Sequence, residues 1–343
     1  MPTDPALPVP RSTLARVAAE AAVSVPTVSK VLNGRSGVAP ETRERVEGAL
    51  RAHGYSRRVS AASSVRLIEL VMPAIASITG LEIITGVERA ARSSGRSMVL
   101  TQSGDRRSPG RDWIDGALRR RPEGVVLVFS DLAPDDKRRL RTRGIPFVVI
   151  DPSGDPAPDV PSVGSANWSG GYSATRHLID LGHVRIAAIT GPEGVLSSTA
   201  RLSGYRAALE SAGIPLDESL VLRGNYQYGD GLARGLELLE RRDRPTAVFA
   251  GTDVQAMGVY EAARRRGVAI PAELSVVGYD DIRVAAWANP PLTTVLQPLA
   301  QMGEEATRLV IRLSEGEPAE ASRVDLSTTL VVRDSTTAPS TTP

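Results

Sequence analysis

The apolar residues near the start of the chain recur at the spacing of an α-helix in three short segments. In the first, Leu14, Val17 and Ala18 lie at i, i+3 and i+4, which is the pattern of a helix with one buried face, and Ser12 or Thr13 precedes it as a capping hydroxyl. The pattern predicts three helices, at about 14–21, 25–33 and 40–54.

The second of these helices has two distinct faces. Ser24 precedes it as a capping residue, and Pro26 lies in its first turn, where a missing N–H is tolerated. Its inward stripe consists of Val28, Val31 and Leu32. The outward residues are therefore Val25, Pro26, Ser29, Lys30 and Asn33. We interpret the segment as a helix-turn-helix whose second helix enters the major groove of double-stranded DNA.

From Leu67 onward short apolar runs alternate with amphipathic stretches, which is typical of βα units and parallel sheets. The predicted strands are Leu67–Pro73, Ser97–Thr101, Val125–Ser130, Pro146–Asp151, Ile186–Gly191, Ala247–Gly251 and Leu274–Tyr279. The predicted helices between them are Ile78–Ser94, Arg111–Arg120, Pro134–Arg143, Gly170–Leu181, Arg201–Ala212, Gly229–Arg241 and Asp253–Arg266. The fold class is α/β, with two similar lobes in tandem behind a three-helix head.

Charge is unevenly distributed along the 343 residues. Residues 1–66 contain 10 Lys and Arg against 5 Asp and Glu, a net charge of +5, whereas the rest has 31 against 34, a net charge of −3. Positive charge on a small N-terminal unit favours a nucleic-acid-binding head.

Composition excludes several other classes of protein. There is no Cys, and the three His show no metal-ligand spacing, so we expect neither metal nor cofactor. No apolar run is long enough to span a membrane, and no signal peptide is evident, which predicts a cytoplasmic, nucleoid-associated protein. GxGxxG, Walker and GxSxG motifs are absent, which disfavours an enzyme. The missing export signal also disfavours a sugar-transport protein.

Several runs resemble the LacI/GalR (lactose-repressor) family of bacterial regulators. In the head these are Val23-Ser24 and the segment from Thr27 to Gly34. In the core they include Leu181-Gly182-His183, the segment from Leu274 to Asp281, and the segment from Pro290 to Val295. The resemblance implies a core of two doubly wound parallel sheets like that of periplasmic binding proteins, spanning 67–334, and a homodimer that binds a DNA operator.

The resemblance also implies roles for the head residues. Val25, Pro26 and Lys30 would occupy base-reading positions, while Ser24, Thr27, Ser29 and Asn33 would contact phosphates. Two residues depart from the family pattern: Ala22 replaces a turn Gly, and Pro26 has no donor to offer a base.

The resemblance further predicts domain boundaries. Residues 1–11 would be a disordered lead-in, 12–55 the head, 56–66 a hinge and 335–343 a disordered tail without the heptads of a coiled coil. Lobe 1 would comprise about 67–165 and 293–320, and lobe 2 about 166–292 and 321–334. The chain would cross between lobes near 164–167, 290–295 and 315–323. The hinge is a few residues shorter than in the family and lacks its minor-groove Leu, with Ser64 or Val65 nearest in position.

Polar residues follow several predicted strands, at the carboxyl ends where open parallel sheets bind ligands. They are Asp151, Thr252-Asp253 and Asp280-Asp281, and Arg201 opens a helix facing the same gap. Carboxylates that accept vicinal hydroxyls, beside a guanidinium that donates, suit a sugar. The resemblance implies an effector site at Ser130, Asp151, Arg201, Tyr226, Thr252 and Asp280.

Some of these residues have alternative roles. Asp253 and Asp281 at strand ends are expected to cap the following helices, and Thr252 replaces the family's usual Asn. Trp168 and Trp287 would stack on a sugar or anchor the core or a dimer. The sequence therefore predicts a sugar-controlled repressor. The alternative is an effector sensor whose short hinge leaves DNA binding weak or dependent on a partner.

Overall fold

The computed structural model describes residues 11–32, 37–53, 66–75, 77–104, 111–128, 132–152, 159–319 and 323–340. The chain divides into two compact units, Met1–Val65 and Arg66–Pro343. Each unit is described by itself below, the first as the head and the second as the core.

The described residues of the head form three helices, α1 (Arg11–Glu20), α2 (Val25–Leu32) and α3 (Pro40–Ala52). Their apolar faces meet in a small core formed by Val17, Ala18, Ala21, Val28, Val31, Val46, Ala49 and Leu50. The three predicted helices are confirmed, but α1 begins earlier than predicted. Ser12 and Thr13 lie inside α1, so the prediction that one of them caps the helix is wrong.

The core alternates strands and helices. Its strands are β1 (Leu67–Met72), β2 (Ser97–Gln102), β3 (Gly124–Val128), β4 (Phe147–Ile150), β5 (Ser162–Ser165), β6 (Ile186–Thr190), β7 (Val221–Arg223), β8 (Ala247–Ala250), β9 (Ser275–Asp280), β10 (Thr293–Leu296), β11 (Arg323–Leu326) and β12 (Thr329–Val331). Its helices are α4 (Ile78–Ser93), α5 (Arg111–Arg120), α6 (Pro134–Thr142), α7 (Asn167–Asp180), α8 (Leu196–Ser211), α9 (Tyr228–Leu239), α10 (Asp253–Arg266), α11 (Arg283–Trp287) and α12 (Leu299–Ser314).

The strands form two six-stranded sheets, which confirms the two-lobed α/β prediction. The order is β11-β5-β4-β3-β1-β2 in lobe 1 and β12-β10-β9-β8-β6-β7 in lobe 2. All neighbours are parallel except β12, which pairs antiparallel with β10 at an edge. Strands β3, β4 and β8 are fully buried apolar runs, as expected when helices cover both faces of a parallel sheet.

The predicted boundaries between the lobes are partly wrong. Thr293–Leu296 pairs with β9 and so belongs to lobe 2, and Arg323–Leu326 pairs with β5 and so belongs to lobe 1. Arg323–Leu326 and Thr329–Val331 are two separate strands, one in each sheet. The chain therefore crosses between lobes at 166, 297–298 and 327–328, and the last two crossings are later than predicted because each follows a strand rather than precedes it.

The end of the chain is also more ordered than predicted. Ser335 is fully buried; its Oγ accepts from the Thr293 N–H at 2.7 Å and donates to the Val276 carbonyl at 2.6 Å. The Thr337 carbonyl lies 2.9 Å from Nε2 of His183. Residues 335–340 are thus bonded to lobe 2, and the prediction of a disordered tail is wrong for them because it considered only local composition. Residues 341–343 lie outside the described residues.

Candidate functional site

The outward face of α2 is the candidate surface of the head. Val25 is 41% exposed, Pro26 and Lys30 are exposed, and Thr27 and Ser29 are half-buried, whereas Val28 and Val31 are buried. Ser24 caps the helix as predicted, because its Oγ lies 3.4 Å from the Thr27 N–H and 2.9 Å from the Thr27 hydroxyl. The surface thus offers one cationic and two apolar side chains. Asn33 lies outside the described residues.

The turn before α2 has a constrained backbone. Ala22 has a φ of 52°, in the left-handed region that favours glycine. The Nε of Arg45 donates to the Ala21 carbonyl at 3.1 Å, so α3 satisfies an acceptor at the end of α1. The turn orients α2 relative to α1 despite the unfavourable residue at its centre.

Arg201 occupies the centre of the cleft between the two lobes. It is 5% exposed, and its guanidinium donates to Asn167 Oδ1 at 2.8 Å, to the Gly251 carbonyl at 2.6 Å and to Gln297 Oε1 at 2.8 Å. A Cβ at Gly171 would lie 2.2 Å from the Arg201 carbonyl oxygen, so α7 and α8 meet backbone to backbone at this point. The close packing and the three hydrogen bonds fix the guanidinium in one position.

Asp280 and Tyr279 lie against this guanidinium. Asp280 Oδ1 is 3.6 Å from Arg201 Nη1, and Arg201 Cζ is 3.6 Å from the centre of the Tyr279 ring. Burial raises the pKa of Asp280 to about 7; the Arg201 charge opposes this rise and the Asp151 charge adds to it. The φ of Asp280 is 109°, a strained conformation of the kind that clusters at functional sites. The end of β9 therefore presents a carboxyl group whose pKa lies near neutral pH.

Asp151 faces this cluster from lobe 1. It directly follows β4, is 6% exposed and has a φ of 46°. Burial raises its pKa, while the charge of Arg201 on lobe 2 lowers it. Asp151 and Arg201 therefore interact across the cleft, as the sequence predicted for groups at the carboxyl ends of strands.

Tyr226 closes one side of the cleft, with its ring centre 5.5 Å from Arg201 Cζ. The ring packs so closely on Gly191 that a Cβ there would lie 2.1 Å from its Cζ atom. A cavity with room for about one water molecule lies between this ring, Ser198 and Arg201. Within the described residues the buried hydroxyls of Tyr226 and Tyr279 and the Oε1 of Gln255 have no hydrogen-bond partner. Such unpartnered polar atoms are typical of a site that receives a ligand.

Two acidic residues beside the cleft have structural roles other than those predicted. Asp253 does not cap α10; its carboxylate accepts from the Thr294 hydroxyl at 2.5 Å and from the Ile282 N–H at 2.9 Å. Asp281 does not cap α11 but forms an ion pair with Arg333 at 2.7 Å. Thr252 caps α10, since its hydroxyl accepts from the Gln255 N–H at 3.1 Å. The hydroxyl proton of Thr252 remains available to a ligand.

The sequence reasoning missed Gln297 and gave Asn167 no role in the site, although both bind Arg201. The rule that polar groups follow strand ends would have identified Gln297 if β10 had been predicted. Trp168 is stacked on Tyr172, with the ring centres 5.3 Å apart, and Trp287 is 75% exposed, so neither is a core residue. Ser130 lies outside the described residues.

The described residues contain no group of three or more His, Asp or Glu side chains that could hold a metal ion. None of the helices in the described part of the chain is both long and apolar enough to cross a membrane.

Comparisons with known proteins match both parts of the chain. A family model for bacterial regulatory proteins of the lacI family matches residues 13–58, and a model for a periplasmic binding protein-like domain matches residues 175–336. The HTH-type transcriptional regulator CelR of Thermobifida fusca is 37% identical over 337 residues, 95% of this chain and 98% of that protein. The HTH-type transcriptional repressor CytR of Escherichia coli K12 is 32% identical over 95% of this chain and 97% of its own length.

Solved structures give the same relationship. A complex of the regulator CelR with cellobiose is 36% identical, with a TM-score of 0.72 over 94% of this chain and 99% of that one. A lac repressor dimer bound to operator and an anti-inducer is 27% identical, with a TM-score of 0.73 over 94% of this chain and 98% of that one. The similarity thus extends over the head and the core together.

Proposed function

This chain belongs to the LacI family of DNA-binding transcriptional regulators, and from that premise we propose that it is a dimeric repressor whose operator binding is controlled by a carbohydrate held between its lobes. The observation that carries the ligand proposal is the buried cluster of Arg201, Asp280 and Asp151, which joins the two lobes at the carboxyl ends of their strands.

The face of α2 carries the proposal for DNA recognition. The Lys30 ammonium donates to guanine O6 or N7, and Val25 and Pro26 contact a thymine methyl. Ser24, Thr27, Ser29 and Asn33 position the helix on phosphates, which carry no sequence information by themselves. Two such helices related by two-fold symmetry read successive major grooves of a roughly palindromic operator.

The chemistry of the cleft favours a neutral polyhydroxyl ligand. Asp151, Asp253 and Asp280 are buried near a single buried guanidinium, and that guanidinium already donates to three protein acceptors, so it is poorly placed to neutralise an anionic ligand. Sugar hydroxyls donate to the Asp151 and Asp280 carboxylates and accept from Arg201, the Tyr226 hydroxyl and Thr252. The faces of Tyr226 and Tyr279 supply apolar surface for a sugar ring. Ser130 is the further contact that we propose from lobe 1.

Arg201 also connects the ligand site to the segments that join the lobes. Its partners Asn167 and Gln297 lie at the first and second crossings, where the chain passes from one lobe to the other. A ligand that takes up hydrogen bonds from the guanidinium shifts both crossings at once and so changes the angle between the lobes. Regulation requires that the ligand bind one arrangement of the lobes more tightly than the other, since a ligand with equal affinity for both does not change their relative populations.

The ligand proposal is tested by isothermal titration calorimetry against a panel of neutral mono- and oligosaccharides, beginning with cellobiose, which the solved relative holds. We expect one member to bind, and Asp280→Asn to lower its affinity at least tenfold because a carboxylate acceptor is lost. The matched control is Asp243→Asn, whose side chain is 80% exposed on lobe 2. Equal affinity of the wild type and the Asp280 variant would reject this site.

The DNA proposal is tested by fluorescence anisotropy on the protein's own promoter region and on random duplex. Lys30→Ala should reduce the preference for the promoter, while Arg242→Ala, which removes one charge from the core, should not. If the wild type binds both duplexes equally, the repressor proposal fails and the chain is a ligand sensor with weak DNA binding. The sequence of 56–66, which lacks the family's minor-groove Leu, favours that second candidate.

A further inference from the structure

Two grooves adjoin on the surface of lobe 1 at the end opposite the ligand cleft. One is lined by Asp115, Leu118, Arg119, Arg121, Arg139 and Arg143. The other shares Leu118, Arg121 and Arg143 with it and adds Arg66 and Glu123. We call this surface the arginine face. It lies where β1, β3 and β4 begin, because Arg66 and Glu123 directly precede β1 and β3, and Ile145, which also lines the second groove, lies two residues before β4.

The arginine face holds positive charge that the protein itself does not neutralise. Most arginines of the core bind a carboxylate, and both acidic residues of these grooves are already paired: Asp115 with Arg139, and Glu123 with Arg66 and Arg96. Arg119, Arg121 and Arg143 are exposed and form no ion pair within the described residues. Three uncompensated guanidiniums therefore border the same grooves.

The arginine face lies at the end of lobe 1 where the connection from the head enters the core. Arg66 is the first residue of the core, and residues 54–65 connect it to the head. Twelve residues extend at most about 40 Å, which sets an upper limit on the distance between a head bound to DNA and this end of lobe 1. A tethered surface meets its ligand at high effective concentration.

From these observations we propose that the arginine face binds the phosphate backbone of the DNA to which the head is attached. Guanidinium groups bind phosphate oxygens through planar forks, and a duplex presents such oxygens along its whole length. Leu118 is the apolar side chain shared by both grooves, and the other apolar side chains of the lining, Pro122 and Ile145, are buried, whereas protein interfaces rely on accessible aromatic and apolar anchors. This chemistry favours DNA over an acidic protein. The contacts supplement those of the head without adding sequence information.

The helix dipole gives a competing reason for arginines at this end. Arg119 and Arg120 lie in the last turn of α5, where cations are favoured near unsatisfied carbonyls. That effect places arginines at each helix end separately and requires no DNA. The two explanations differ in what happens to the salt dependence of DNA binding.

The test uses the full chain and measures its affinity for a random-sequence duplex and for the promoter duplex as a function of salt. The triple variant Arg119→Gln, Arg121→Gln, Arg143→Gln should make the slope of log K against log salt shallower by up to about 2.7, at about 0.9 per phosphate contact. The change should be equal on both duplexes. The control is Arg206→Gln, Arg264→Gln, Arg265→Gln, an equal charge change on exposed side chains of lobe 2, which should leave the slope unchanged.

Circular dichroism and melting first establish that the variants are folded, which is expected because all six side chains are exposed or half-exposed. A slope that is the same in the wild type and the first triple variant would overturn the proposal, and the arginines would then serve the helix ends or an acidic protein. A slope that falls equally in both triple variants would also overturn it, since net charge alone would explain the change.

Discussion

The guanidinium of Arg201 donates a 2.8 Å hydrogen bond to Oε1 of Gln297, a residue in the segment that carries the chain from the sheet of lobe 2 to the last helix of lobe 1. The Gln297 side-chain amide also donates to the Met302 sulfur at 3.7 Å, on that helix. One buried side chain thus links the ligand cleft to the second segment that joins the lobes.

Replacing Arg201 with lysine should destabilise the core. Lysine keeps the charge but loses the planar fork, so at least two of the three acceptors are left buried without a donor. We expect a loss of about 3 kcal/mol in the free energy of unfolding, measured by urea denaturation. The control Arg206→Lys, on the same helix but 43% exposed, should change it by less than about 0.5 kcal/mol. Similar values for the two variants would show that the fork has no structural importance.

Replacing Ala22 with glycine should stabilise the head. The φ of 52° is strained for alanine and not for glycine, so we expect a gain of about 0.5–1 kcal/mol. The measurement is amide hydrogen exchange in α1 and α2 of the full chain, which reports local opening. Ala19→Gly, at an exposed position inside α1, is the control and should destabilise the helix by about 1 kcal/mol. Slower exchange in α1 and α2 is expected only for the Ala22 variant.

Replacing Ser335 with alanine should destabilise lobe 2. The substitution leaves the Thr293 N–H and the Val276 carbonyl buried without their side-chain partner, which costs about 1–3 kcal/mol. By thermal denaturation we expect a decrease in Tm of several degrees, at about 2–4 °C per kcal/mol. Ser327→Ala, at an exposed position between β11 and β12, should leave Tm within about 1 °C. An unchanged Tm in the Ser335 variant would mean that the C-terminal segment is not held as described.

The contribution of Asp280 to stability should fall as pH rises from 6.5 to 8. Because burial raises the pKa of Asp280 to about 7, the folded state binds a proton in this range that the unfolded state has already lost. The stability from this group is complete below its ordinary pKa and is lost as pH passes 7. His177, which is half-buried, and His183, which is buried, have lowered pKa values and act in the opposite direction, so the contribution of Asp280 is read as the difference between the wild type and a variant without this carboxyl group.

We expect this contribution to change by about 0.8 kcal/mol between pH 6.5 and 8, or about 2 °C in Tm, measured as the difference between the wild type and Asp280→Asn. Asp280→Asn should remove this contribution, because the amide does not titrate. A variant with the same pH profile as the wild type would show that Asp280 is ionised throughout this range.

The helices and buried strands of the core were predictable because their patterns are local. Arg111–Arg120 and Asp253–Arg266 were predicted with the bounds that the structure has, since amphipathic spacing defines the first and caps at Thr252 and Gly267 bound the second. Ser162–Ser165 reads SVGS and has no apolar alternation, so only its place between β4 and β11 makes it a strand. Residues 335–340 were predicted as disordered for the same reason, because their bonding partners lie far away in the sequence.

The candidate site was predictable as a set of positions but not as a network. The strand-end rule correctly located Asp151 and Asp280 beside Arg201. The rule also predicted a cap at Asp253, but that carboxylate bonds to Thr294, 41 residues away, and no local pattern reports such a contact. Gln297 was not predicted as a site residue because β10, the strand that it follows, is only four residues long. That strand is recognised from its pairing in the sheet and not from a local sequence pattern.

The measurement that tests the central claim most directly is the operator affinity of the wild type and of Gln297→Leu, with and without the sugar that calorimetry identifies. In the wild type the sugar should change operator affinity at least tenfold, which corresponds to about 1.4 kcal/mol of coupling. In Gln297→Leu the sugar should still bind, but its effect on DNA should be much smaller, because Arg201 no longer holds the second crossing. A sugar that binds the wild type without changing operator affinity would contradict the account.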